Sequence, residues 1–429
     1  MRHEPGVKED AKNLSLVTGS ALVAALLTIG LLANRMTAQP EPETVVRTVQ
    51  PVVVEVVEIP EVVEPEPEPV VVERVPLTGA QRLYGTVRTQ YGKEFTGFIR
   101  WDRNEGSTVD LLDATKKRRR GGSSISGIRF GHVDRIDVLD RSSAAFALKS
   151  GDRVELHSNA SDLGTGLRAL VVDEGNGRLA EFQWRDLEQV EFHDPGSAQP
   201  SENRIHGTLT TRTGMKFTGY VTWDVDEIYS TDILDGDQDG RRMKVPFADI
   251  ATIERHSSWG ARVTLRGGES MILEDTNDVD SSIRNISISD PALGQVLLHW
   301  NEFDMVEFHG LDAEGPLVQF DGGARLYGTV VTQGGESYTG EITWDDDEAF
   351  TWEMLNGDID DVEFTIEFGN IERIEKSGSG ARVTLEDGRT LDLSNGNDVD
   401  SGNRGILIRT DGRDFEVDWR DFSEVTFGR

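Results

Sequence analysis

Four aspartates, Asp278, Asp280, Asp398 and Asp400, sit in two copies of the pentapeptide Asn-Asp-Val-Asp-Ser that begin at Asn277 and Asn397. Carboxylates this close are hard oxygen donors of the kind calcium uses, six to eight at a time. They are the candidate metal ligands of the chain, with calcium as the only cofactor they imply. The simpler reading is an Asx-rich turn, its side chains bonded to local backbone N–H groups and one aspartate paired with Arg284 or Arg404. A looser third copy has Asp162 and Arg168 at matching places but Gly164 where the second acid would be. A metal role common to all copies fails there. Asp235-x-Asp237-x-Asp239-Gly240 opens like an EF-hand loop, yet Pro246 holds the twelfth position, where a bidentate glutamate belongs. Its counterpart in another copy is the basic run Lys116 to Arg120. A loop that tolerates both signs reads as solvated surface, or as a dock for an acidic partner or for the chain's own acidic linker.

Other chemistry has little to stand on. The chain has no cysteine, and its eight histidines are scattered without zinc-helix spacing. No Gly-x-Ser-x-Gly elbow or phosphate-binding glycine loop is present. Paired carboxylates carry no information about acid–base catalysis in a chain of net charge -33. The expectation is a protein that is not an enzyme, with no catalytic residues. So acidic a surface also repels phosphate backbones, so no nucleic-acid partner is expected.

The elements that must position these residues are set by an internal repeat. Arg82-Leu-Tyr-Gly-Thr-Val returns as Arg204-Ile-His-Gly-Thr-Leu and as Arg325-Leu-Tyr-Gly-Thr-Val. Each copy runs on to Trp-Asp, at Trp101-Asp102, Trp223-Asp224 and Trp344-Asp345, spaced 122 and then 121 residues apart. A second half of each copy carries Arg168, Arg284 or Arg404 and closes on Trp184, Trp300 or Trp419, each followed by a Phe- or Leu-x-x-Val-x-Phe beat. The tryptophans fill a core with their N–H bonded, or they stack on sugars. Within each half apolar and polar residues alternate, the signature of strands. Gly92, Gly214 and Gly335 suit tight hairpins. Gly97, Gly219 and Gly340 fall mid-strand, where a bulge or bend is expected. A Phe-x-x-Ile spacing predicts a short 3₁₀ turn before each last strand. The predicted architecture is all-β: three repeats of about 120 residues at 80–195, 202–310 and 322–429, each of two small modules.

The segment Thr89-x-x-Gly92-x-x-Phe95-Thr-Gly97-x-Ile99-x-Trp101-Asp102, followed by Val109-Asp-Leu-Leu, resembles the first signature of Sm-like proteins, a family of small SH3-like β-barrels. The resemblance covers about 30 residues in each of three copies and implies tandem SH3/Sm-like barrels. RNA binding in that family uses an Asp and Asn in the first motif and Arg-Gly in the second. The aspartate is kept as Asp102, Asp224 and Asp345, but the Asn and the Arg-Gly are missing at their places. RNA binding is therefore not implied.

Ahead of the repeats lie a tail (1–13), an uncharged apolar run (14–34) and a Pro/Glu/Val-rich stretch (35–79). A run of about 20 apolar residues is long enough to cross a bilayer as a helix. Two readings stand: a retained anchor, or a signal cleaved so that the protein is secreted. With Arg2, Lys8 and Lys12 before it, the anchor reading puts the N-terminus in the cytoplasm and the bulk in the periplasm of a bacterium. Proline and like charges make 35–79 an extended spacer or a disordered tether. The functional expectation is a non-enzymatic envelope scaffold that meets an unidentified protein partner, with a calcium- or glycan-binding module as the alternative and an enzyme with a site between modules as a further one.

Overall fold

The structure is a computed structural model describing residues 47–48, 81–118, 121–158, 161–311, 313 and 315–428. The expected anchor at 14–34 and nearly all of the spacer lie outside these residues. No helix among the described residues is long and apolar enough to cross a membrane.

The described chain is all-β, with three antiparallel sheets and only short 3₁₀ turns between strands. A two-residue strand β1 (Arg47–Thr48) precedes the repeats. The first repeat holds β2 (Tyr84–Thr89), β3 (Glu94–Arg100), β4 (Leu111–Lys117), β5 (Ser123–Arg129), β6 (Val133–Val138), β7 (Ser143–Leu148), β8 (Arg153–His157), β9 (Leu170–Asp173), β10 (Arg178–Phe182) and β11 (Leu187–Phe192). The second holds β12 (His206–Thr211), β13 (Lys216–Trp223), β14 (Ile233–Gln238), β15 (Arg241–Pro246), β16 (Ile250–Arg255), β17 (Gly260–Leu265), β18 (Ser270–Glu274), β19 (Ile286–Asp290), β20 (Gly294–Leu298) and β21 (Phe303–Phe308). The third holds β22 (Tyr327–Thr332), β23 (Ser337–Thr343), β24 (Met354–Ile359), β25 (Val362–Glu367), β26 (Ile371–Ser377), β27 (Gly380–Leu385), β28 (Thr390–Leu393), β29 (Ile406–Thr410), β30 (Arg413–Val417) and β31 (Phe422–Phe427). Strands ten apart in number are equivalent.

Pairing does not stay within the consecutive halves. In the first repeat the order is β10-β9-β3-β2-β11-β6-β7-β8-β4-β5. One five-strand lobe takes β2, β3 and β11 with the hairpin β9–β10; the other takes β6, β7 and β8 with the hairpin β4–β5. The two halves of the repeat have exchanged hairpins, and the ladder β11–β6 joins the lobes. The second repeat has the same order, and the third closes the corresponding link by the single bridge Asp358↔Ser394. The exchange begins at the Trp-Asp turn. There β3 ends and the chain crosses to the other lobe, while β9 takes the place beside β3 in the register Ile99↔Val172.

The expected 3₁₀ turns are present at Phe130–His132, Phe247–Asp249 and Phe368–Asn370, and a further one lies at Trp184–Asp186; each leads into the last strand of a lobe. The bulges fall at the start of those last strands, as between Val133 and Arg135, and not at the mid-strand glycines. Gly219 has a different reason to be glycine: a Cβ there would stand 2.1 Å from the Ser289 carbonyl oxygen. It marks a close approach of β13 to β19. Gly214, at φ +87°, does supply the left-handed hairpin position.

Repeats 2 and 3 share one hydrophobic core, and β20 of the second pairs with β25 of the third. The first repeat has its own core, into which Trp352 of the third inserts. The repeats therefore pack as neighbours with common interiors, not as a string of separate beads.

Candidate functional site

Each repeat builds the same polar knot where its two halves meet. The strand β3, β13 or β23 runs into a tight turn, Trp101–Glu105, Trp223–Glu227 or Trp344–Glu348, closed by a bridge between its first and last residues. Two successive residues in each turn have positive φ: Asp102 and Arg103, Asp224 and Val225, Asp345 and Asp346. Asp tolerates this conformation; β-branched Val225 does so at a cost of about 1–2 kcal/mol.

The indoles of Trp101, Trp223 and Trp344 are fully buried and donate to the backbone carbonyls of Asp162, Asp278 and Asp398 at 2.8–2.9 Å. Trp184 and Trp300 are also buried and bond the carbonyls of Asp140 and Ser257, and Trp419 is buried under the Lys376 ammonium. The motif tryptophans are core residues, with no face open to a sugar.

Asp102, Asp224 and Asp345 are fully buried. Asp102 and Asp224 each accept from the backbone N–H and the guanidinium of Arg168 or Arg284, while Asp345 accepts the Arg404 backbone N–H, is ion-paired with its guanidinium and takes its Nε–H on the backbone carbonyl. The same guanidinium reaches the side chain two residues on: Asn104 at 2.7 Å, Asp226 at 2.6 Å, and Asp347. One arginine from the second half thus clamps the turn of the first.

The structure divides the four aspartates proposed as metal ligands. Asp278 and Asp398 lie under the turns, each accepting a backbone N–H at 2.7 Å, from Asp235 and Asn356. Asp280 and Asp400 bond the N–H of Ser282 and Gly402 two residues on, as in an Asx turn. The pairs within Asn-Asp-Val-Asp-Ser are thus not held together on one point. The stretch Asp235–Gly240 is part of the hairpin β14–β15, whose Arg242 faces Asp235 and Asp237.

Two sets of acids were not singled out from the sequence. The first is the glutamate four residues after each motif tryptophan: Glu105, Glu227 and Glu348. In all three, Oε2 is buried and has no hydrogen-bond partner. Burial first, and then neighbouring carboxylates, push Glu227 up to about 9 and raise Glu105 and Glu348 well above the usual range. The same causes push Asp162 up to about 8, against the bonds from the Asp113 N–H and Ser161. The second set lies nine residues after each tryptophan: Asp110, Asp232 and Glu353. One oxygen of each caps two backbone N–H groups of its own loop. Each also binds a basic side chain from another repeat. Asp110 takes Arg204 at 2.9 Å, Asp232 takes Arg100 at 3.1 Å, and Glu353 takes Lys116. Arg100 and Lys116 make an equivalent second bond, to the carbonyls of Asp226 and Asp347. The fixed offsets of four and nine from tryptophan were the signal available in the sequence.

A cleft of about 360 Å³ lies between the first and third repeats, lined by Lys116, His157, Phe350, Trp352 and Glu353 among others. No known protein family, no curated protein and no solved structure matches this chain.

Proposed function

We propose that this protein is a non-enzymatic scaffold of the bacterial envelope: an anchor at 14–34, a spacer, then a fused array of SH3/Sm-like small barrels that engages a protein partner in the periplasm. The observation that carries the reading is the use made of the acids. Asp110, Asp232 and Glu353 each tie one repeat to another, and Asp102, Asp224 and Asp345 each tie the two halves of one repeat. These six carboxylates are committed to fixing repeats, or the halves of one repeat, against one another. A short 3₁₀ turn leading into a strand that pairs back on the first, as Trp184–Asp186 leads into β11 beside β2, is in keeping with small barrels, and hairpin exchange within a repeat links them in pairs. Rigid relative placement of many small β units suits presentation of a surface, and an extended spacer suits reach.

Cell fractionation with protease protection tests this. The full-length chain should remain in the inner-membrane fraction, with residues beyond 80 cut only when the periplasm is opened. In-cell crosslinking through residues placed on the exposed edge strand β30 should give discrete adducts. Recovery of the mature chain free in the cytosol would end the envelope reading, and absence of any discrete adduct would end the scaffold reading.

A further inference from the structure

Asp345, Asp347 and Glu348 bring one carboxylate oxygen each to within 4.8 Å of one another, and Asp224, Asp226 and Glu227 do the same in the second repeat. Two oxygens on opposite sides of a calcium ion, each 2.3–2.6 Å from it, are separated by about that span. Proximity among acids is common and means little alone. The further observation is that buried acceptors here are left with nothing to accept. Glu348 is 5 % exposed and its Oε2 has no partner; Asp347, also buried, leaves Oδ2 without one. In the second repeat the Glu227 Oε2 is likewise enclosed and unpartnered, although Glu227 and Asp226 are only partly buried. A buried carboxylate oxygen without a donor is costly, and a native fold does not usually leave one so.

The cations nearby do not fill the role. Arg404 is occupied by Asp345 and by one oxygen of Asp347; Lys116 is occupied by Glu353 and the Asp347 carbonyl. Around Glu348 stand Asp345, Asp347, Glu353 and Asp398, so five carboxylates face these two cations. The second repeat repeats this set with Asp224, Asp226, Glu227, Asp232 and Asp278 against Arg284 and Arg100. The first repeat has Asn104 at the position of Asp226 and Asp347, and so lacks one of the three acids.

We propose that the turns Asp345–Glu348 and Asp224–Glu227 each bind one divalent cation of the calcium class, with Asp345, Asp347 and Glu348, or Asp224, Asp226 and Glu227, as ligands. All donors are carboxylate oxygens, which suits a hard cation and not zinc or copper. The ligands differ from the Asn-Asp-Val-Asp-Ser pairs, and the ion sits where the first half of a repeat is clamped to the second. The site does not depend on the scaffold reading.

Terbium reads this directly, since Trp344 and Trp223 adjoin the ligands and can sensitise its emission. The full-length chain, stripped with EGTA and held in detergent at pH 8, should show tryptophan-sensitised terbium emission that calcium displaces. Equilibrium dialysis should give two calcium ions per chain. Glu348→Gln with Asp347→Asn should halve the uptake, as should Glu227→Gln with Asp226→Asn; the four together should abolish it, with circular dichroism unchanged. Glu105→Gln should leave two ions bound. No saturable uptake by the unmodified chain at millimolar calcium overturns the proposal, whatever the variants do. Uptake that survives all four substitutions also overturns it and assigns the binding to general surface acidity. A single ion lost with the Glu348 pair keeps the third-repeat site and removes the second.

Discussion

At the scale of the residue, the chain's chemistry is decided by burial. Asp345 is fully enclosed, and burial pushes its carboxyl up to about 7 against the pull of the Arg404 backbone N–H and guanidinium. Removing one partner of a buried pair strands the other, at a cost of about 3–5 kcal/mol. Arg404→Ala should therefore lower the urea unfolding midpoint markedly. Arg404→Lys should recover only part of the loss, because one ammonium cannot span Asp345 and Asp347 as a guanidinium fork does. A second expectation concerns Asp162. Its folded pKa of about 8 lies above its unfolded value near 4, so the folded state holds a proton that the unfolded chain releases. The stability tied to that proton is complete at acid pH and fades as pH rises toward 8. His206, pushed down to about 4 by burial, by His309 and by Arg204, acts in the opposite sense below about pH 6.5, where its unfolded form gains a proton. Between pH 6.5 and 8, in EGTA, the melting temperature should fall, and Asp162→Asn should flatten that slope. A slope unchanged by the substitution would show that Asp162 is not a source of it.

At the scale of the element, the hairpin exchange depends on backbones that approach without side chains between them. Gly219 faces the Ser289 carbonyl across the β13–β19 ladder, in the register Tyr220↔Ser289. Gly219→Ala forces that ladder apart and should cost more than the ~1 kcal/mol typical of a glycine replaced at a left-handed turn such as Gly214. Amide exchange offers a direct check: protection along β19 should drop in the Gly219 variant and persist in Gly214→Ala. Equal effects of the two would mean that the close approach is relieved by a small shift. The same element explains why the mid-strand glycine was read as a bend: a missing side chain looks alike in sequence whether it permits a kink or makes room for a neighbouring strand.

At the scale of the whole molecule, the three repeats are one compact unit with unequal joints. The second and third share a core and a β20–β25 ladder, while the first is pinned by ion pairs and by Trp352. A fragment of 202–429 should fold as a monomer with a single sharp transition. A fragment of 202–310 uncovers Phe217 and the edge of β20, and should self-associate or unfold. Sedimentation and thermal melts of the two decide the matter, and a stable monomeric 202–310 would show that the repeats are independent.

The sequence by itself determined what is local. Alternation of apolar residues made strands, Gly214 and its equivalents made hairpins, Phe-x-x-Ile made 3₁₀ turns, and a tryptophan at the end of each amphipathic strand went into the core. Asp280 and Asp400 bond backbone two residues away, so their turn role was also within reach. Tertiary structure alone decided which hairpin joins which lobe, since β4–β5 and β9–β10 have equally good strand patterns and their exchange is settled by packing over many residues. It also decided which acids matter. Glu348 and Asp398 are 50 residues apart, and nothing in either's neighbourhood says that the fold will bury them against each other. Charge in a sequence is only a count; its chemical meaning comes from how much water the folded chain leaves around it.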